Sequence, residues 1–170
     1  MKKFLLISIL LAAFSFGAAA VAPDEDPDIK WAADLLKPGT QVPDFTLEDL
    51  SGRKVSLSDF RGQEVILIFW ASWCPDCRAE VPDVRRMISA KGKRAVISIS
   101  FDRDIETLRE FVKENRLGGL QLFDPAGKKD SKVAADFHVR WIPSLYYIDP
   151  SGKVILSTVV SGKVLDAIGK

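Results

Sequence analysis

Cys74 and Cys77 are the only two cysteines in the 170 residues, and they sit in Phe69-Trp70-Ala71-Ser72-Trp73-Cys74-Pro75-Asp76-Cys77, directly after an apolar stretch. A Cys-x-x-Cys pair placed where a strand passes into a helix is a reversible dithiol. The two-residue spacing brings the sulfurs within bonding distance. A first cysteine at a helix N-terminus meets unpaired amides and the positive end of the macrodipole, which favour its thiolate. Cys74 is therefore the expected attacking sulfur and Cys77 the second sulfur of the pair. Pro75 suits a first helical turn, where its missing N–H has no partner to lose. Other uses of the pair fit less well. Structural zinc wants four ligands and the chain adds one histidine, His138, while a loop this short gains little closure entropy from a static bridge.

The surrounding pattern supplies the elements that must hold this pair. Residues 65–69 are continuously apolar, as a central strand covered on both faces would be, and 94–101 read as a second one. The helix opened by the cysteines carries Val81, Val84 and Ile88 on one stripe, with Pro82 expected to kink it. Asp104 is placed to cap a helix that turns Ile105, Leu108, Phe111 and Val112 inward. Segments 45–50 and 54–57 alternate in polarity around Ser51-Gly52 as a hairpin. A short strand at 121–123 and a short helix at 131–137 follow, and strands at 144–148 and 154–160 are joined by a five-residue turn. Together these predict an α/β sandwich with a mixed central sheet, an N-terminal β-hairpin and an αβ insertion.

Ahead of this domain, residues 1–22 have the three parts of a secretory leader: Lys2 and Lys3, an apolar run, and a small-residue stretch ending at Ala22. Export is the expectation, to a periplasmic or envelope location, with the leader removed or kept as a membrane tether. Without Lys2 and Lys3 the formal charge of +1 becomes −1, and no basic stripe remains to suit nucleic acid. The acidic, proline-bearing stretch 23–28 reads as a mobile spacer and 29–36 as one short helix, so the domain is expected from residue 40 to 170.

Trp73-Cys74-Pro75-Asp76-Cys77 after a strand, Pro82 beyond it, and Trp141-Ile142-Pro143-Ser144 ahead of another strand resemble the thioredoxin superfamily. More narrowly, Val42-Pro43-Asp44-Phe45-Thr46-Leu47, Leu57-Ser58-Asp59-Phe60-Arg61-Gly62 and the αβ insertion are similar to exported TlpA/ResA-like thiol-disulfide oxidoreductases. That resemblance implies a thioredoxin-like sandwich and a cis Ile142-Pro143 bond beside Cys74, where the Ile142 backbone can pair with a substrate chain. Read without the dithiol, Pro143 would merely start an edge strand. The implied catalytic set is Cys74, Cys77, Pro143 and Glu80, with Trp73, Pro75, Trp141 and Ile142 contacting substrate and no cofactor or metal. Implied partners are protein disulfides and a membrane or exported thiol reductase that donates electrons to a monomeric domain.

Departures from the pattern are as informative. Thioredoxins carry a buried aspartate six residues ahead of the first cysteine, and Ile68 stands there. The proton of Cys77 then falls to Glu80, on the same helix face, or to Asp76 within the motif; each is otherwise a helix-start acid held by the macrodipole. Asp76, Glu80 and Asp83 set negative charge around the sulfurs against Arg78, which points to a reductant. Two related chemistries compete. A peroxiredoxin needs a threonine where Ala71 stands, and a copper chaperone of the Sco type uses a wider cysteine spacing together with a histidine. A pure binding module is the third alternative.

Overall fold

Residues 65–70 form a strand because every side chain in the run finds a covered face. The computed structural model describes residues 25–169, and in it β3 (Glu64–Trp70) is buried from Val65 onward. It pairs in parallel with β4 (Arg94–Ser100) on one side and antiparallel with β6 (Ser144–Ile148) on the other. The seven-stranded sheet runs β2 (Lys54–Ser56), β1 (Thr46–Asp49), β5 (Leu120–Phe123), β4, β3, β6, β7 (Val154–Thr158). This is the expected mixed sheet, with the N-terminal hairpin on one edge and the β6–β7 hairpin on the other.

Alternation along β3 divides the core. Phe69 meets Phe101, Phe137 and Tyr146, and Phe45 closes on Phe137 from the hairpin side. Ile68 and Trp70, on the opposite face, lie with Val81, Val84 and Leu117, and the Trp70 ring tilts against Phe111 of α4 (Ile105–Glu114). Asp104 caps α4 through Thr107 N–H, as its position predicts.

The two hairpin turns share one device. In Asp49-Leu50-Ser51-Gly52-Arg53 and again in Asp149-Pro150-Ser151-Gly152-Lys153, one aspartate oxygen accepts from the serine N–H, the serine hydroxyl and the following basic residue's N–H. Gly52 and Gly152 take φ of 83° and 86°, which glycine reaches without the clash a Cβ brings.

Three local expectations change. Pro82 does not kink a continuous helix; the backbone breaks at Glu80 into α2 (Pro75–Ala79) and α3 (Val81–Ser89), with Pro82 in the first turn of the second. The buried stripe of α3 is Val81, Val84 and Met87, with Ile88 only partly covered. Nor are residues 25–28, within the stretch expected to be a mobile spacer, free of the domain. Helix α1 (Pro27–Trp31) starts earlier and is shorter than predicted, capped by Asp26, and Ala32 and Leu35 behind it enter the core. Asp28 accepts from Thr158 Oγ1 and Val159 N–H at the end of β7. After the short helices α5 (Gly127–Asp130) and α6 (Lys132–Asp136), the closing helix α7 (Ser161–Ile168) packs on α3. The predicted leader, 1–22, lies outside the described residues, as do residues 23 and 24; among those described, no helix is long and apolar enough to cross a membrane.

Candidate active site

The end of β3 delivers Ala71 to Trp73 into a tight turn, and Cys74 ends that turn as the N-cap of α2. Its Sγ accepts from the Cys77 N–H at 3.4 Å, so one of the orphan amides of the helix start points at this sulfur. Pro75 occupies the first helical position and is exposed, as is Asp76. Both cysteines are free thiols. Cys74 keeps only 6% of its surface and Cys77 4%, whereas Trp73 is 54% and Trp141 39% exposed. The Cys74 sulfur is therefore almost covered, while the indoles that precede Cys74 and Ile142 in the chain stay exposed.

Opposite the sulfur runs the segment before β6. The Ile142-Pro143 bond is cis, and the Ile142 carbonyl accepts from Cys74 Sγ at 3.6 Å. Ser144 Oγ donates to Trp141 O, closing the bend. Of the sequence-predicted residues, Cys74 and Ile142 thus meet directly, with Pro75 and Pro143 next to them in the chain, whereas the Trp73 indole donates to Phe101 O at 3.4 Å and the Trp141 indole stacks on Trp31.

Cys77 and Glu80 belong to the layer beneath. Both line a narrow cleft with Ile68, Trp70, Val84, Ser98, Leu117 and Pro143. Burial pushes the Cys77 thiol far above its ordinary range, and the hydrogen bond with Cys74 and the nearby Glu80 carboxylate add to this. Burial likewise pushes Glu80 up to about 6, opposed by the Ser161 N–H that it accepts at 3.2 Å. The break between α2 and α3 lies at Glu80 itself, which places this carboxyl where the two helices meet and against the start of α7. Ile68, 3% exposed, contributes only apolar surface where an acid is common in thioredoxins. His138 lies apart, its Nδ1 3.2 Å from Asp34 O. Among the described residues no three His, Cys, Asp or Glu side chains converge as a metal-binding set.

One anchoring network escaped the sequence reading. Asp102, 1% exposed at the end of β4, accepts from Ser72 N–H and Ser72 Oγ and from Ser100 Oγ, while Arg78 Nη1 donates to Ser72 O. The peptide before Trp73 is held from both sides. Thirty residues separate Asp102 from Ser72, and no spacing rule announces such a bond. Asp102→Ala should leave three buried donors without acceptors and lower unfolding free energy by roughly 2–4 kcal/mol in urea denaturation; an unchanged midpoint would show the network to be dispensable.

A sheet of this order, a Cys-x-x-Cys at a helix start and a cis-proline across from it define a thioredoxin-like thiol-disulfide oxidoreductase. The chain belongs to the AhpC/TSA family, whose model matches residues 38–157. It is 34% identical over 123 residues to the thioredoxin-like protein YneN of Bacillus subtilis, covering 70% of this chain and 69% of the relative. It is 34% identical over 120 residues to the thiol-disulfide oxidoreductase ResA of Bacillus cereus, covering 69% and 66%. The chain thus spans about two-thirds of these relatives. Among solved structures, the thioredoxin domain of a thiol-disulfide oxidoreductase from Bacteroides vulgatus superposes with a TM-score of 0.67 at 26% identity, covering 78% of this chain and 99% of that one.

Proposed function

We propose that this chain reduces disulfides in exported proteins, with Cys74 as nucleophile and Cys77 as resolving thiol. The observation that carries the reading is the Cys74 sulfur at the α2 N-terminus, facing the Ile142 carbonyl at 3.6 Å. A substrate chain lying along that carbonyl would bring its disulfide to the sulfur.

In the proposed cycle the Cys74 thiolate attacks one sulfur of the partner's disulfide. The new Cys74–partner bond forms as the partner's own S–S bond breaks and its other sulfur leaves as a thiolate, which is protonated by solvent. Cys77 then gives its proton to Glu80 and attacks Cys74. The mixed bond breaks, the second partner sulfur leaves with the electron pair, and the chain retains a Cys74–Cys77 disulfide. An exported or membrane dithiol reductase restores the pair. In this reading Trp73, Pro75, Trp141 and Ile142 contact the partner, Pro143 shapes the groove, residues 1–22 direct export, and the domain acts as a monomer.

The reductant direction is supported by charge. Asp76 stands exposed between the two cysteines in the chain, and the Arg78 guanidinium is engaged with Ser72 O and lies over the Phe111 ring. A thiolate less stabilised in the reduced form gives a lower potential. Insulin reduction with dithiothreitol should show turnover in the wild type, and equilibration with thiol buffers should give a potential near the thioredoxin value of about −270 mV. A potential near about −120 mV would make the protein an oxidant. A peroxidase reading gains nothing from the site, since Ala71 offers no hydroxyl and the Ser72 hydroxyl is bound to Asp102.

A further inference from the structure

The residues ahead of the family match hold the segment that carries Trp141 and the cis-proline. Trp31 stacks on Trp141 with ring centroids 4.1 Å apart and planes at 23°. The Asp34 carboxylate pairs with Arg140 Nε at 3.1 Å, its carbonyl meets His138 Nδ1, and the Leu36 N–H donates to Tyr146 Oη. At the other end Lys163 of α7 pairs with both Asp26 and Asp28. The segment is thus moored beside α7 and tied down again over residues 138–146. Lys30 Nζ lies 4.4 Å from the Trp31 ring centre, so this indole is shared between a cation and Trp141.

We propose that Trp31 is a positioning residue for substrate. It holds the Trp141 indole at the edge of the opening to Cys74, and Trp141 with Trp73 forms an aromatic rim for apolar residues flanking the disulfide of an oxidised polypeptide. The inference rests on the disulfide-exchange reading above and adds the chemistry of the partner. Two observations carry it. Cys74 has only 6% of its surface free, so the residues flanking a disulfide that reaches it must meet the neighbouring surface, where the exposed Trp73 precedes Cys74 and the exposed Trp141 precedes Ile142, whose carbonyl meets the sulfur. And Trp141, two residues from Pro143, keeps 39% exposure although one of its faces is already covered by Trp31. Indole surfaces favour aromatic and aliphatic partners over charged ones.

The test compares the full chain with Trp31→Ala and Trp31→Phe on two synthetic peptides. Each holds one intermolecular disulfide, flanked in one by Phe and Leu and in the other by Ser and Gly. Wild type should favour the apolar peptide. Trp31→Ala should raise KM for that peptide about tenfold, with kcat and reduction potential held, and Trp31→Phe should restore it. Equal KM for the two peptides in wild type, or the same KM in Trp31→Ala as in wild type, overturns the inference while leaving disulfide exchange standing. So does a parallel loss on both peptides with a lowered Tm, which marks a general loss of structure. Absence of turnover of either peptide and of insulin by the wild type would instead refute the underlying activity.

Discussion

Cys77→Ala should abolish catalytic turnover, by roughly 10³-fold or more, and yet leave Cys74 competent to attack, so that partners accumulate on it as mixed disulfides. The two cysteines have separate environments. Cys74 caps α2 and faces the Ile142 carbonyl, whereas Cys77 lies in the cleft below, its thiol held protonated by burial. Without the second sulfur the covalent complex has no internal route to resolve. Non-reducing electrophoresis of an envelope fraction should show adducts that dithiothreitol releases, and mass spectrometry of those adducts identifies the partners. Cys74→Ala should show neither turnover nor adducts. Adducts formed equally by Cys74→Ala would reverse the roles of the two sulfurs.

Glu80→Gln carries the second large effect, and its sign differs between rate and stability. As acceptor of the Cys77 proton, Glu80 works only when ionised, so resolution of a preformed mixed disulfide should speed up as pH rises through about 6. Glutamine should slow that step roughly 10²-fold at neutral pH and remove the dependence near pH 6, read by stopped-flow release of a fluorescent peptide. Identical rates across pH in the two proteins would rule out the relay. For stability, the carboxyl ionises at about 6 in the fold against an ordinary value of 4.5. Below 4.5 it is protonated in both states and its burial is tolerated; as pH rises through about 6 the folded state must hold a charge that the unfolded chain solvates freely, and stability falls. Glutamine escapes this. Discounted for partial exposure of the group, Glu80→Gln should stabilise the protein by about 1 kcal/mol at pH 7.5 and by almost nothing at pH 4, measured by urea titration. Its amide oxygen still accepts from Ser161 N–H, so the packing of α7 is kept.

The parts legible in the sequence were those written in local pattern. Continuous apolarity at 65–69 marked the central strand and the cysteine motif marked the helix start, while the place of Ile142-Pro143 beside Cys74 came only from the family resemblance. What was not legible depends on meetings between distant segments. The stretch 23–28 has no hydrophobic period, and nothing in it or in the helix expected at 29–36 shows that Asp28 will reach Thr158 or that Trp31 will find Trp141. Pro82 was readable as a disturbance, but whether a proline bends a helix or begins one depends on where the preceding residue ends its turn, and Glu80 ends it here. Asp102 carries no local signal at all, because its partner Ser72 lies thirty residues away.

The contacts of residues 26–36 also bear on where this protein can be cut. Kinship marks out 38–157, yet trimming there would strip Ala32 and Leu35 from the interior, strand the Tyr146 hydroxyl's link to Leu36, and discard α7, whose Lys163 is clasped by Asp26 and Asp28. Asp26 and Asp28 on one side and α7 on the other thus latch together outside the span that the family model matches. Any fusion, tag or truncation is best placed before residue 25, with the C-terminal helix left whole.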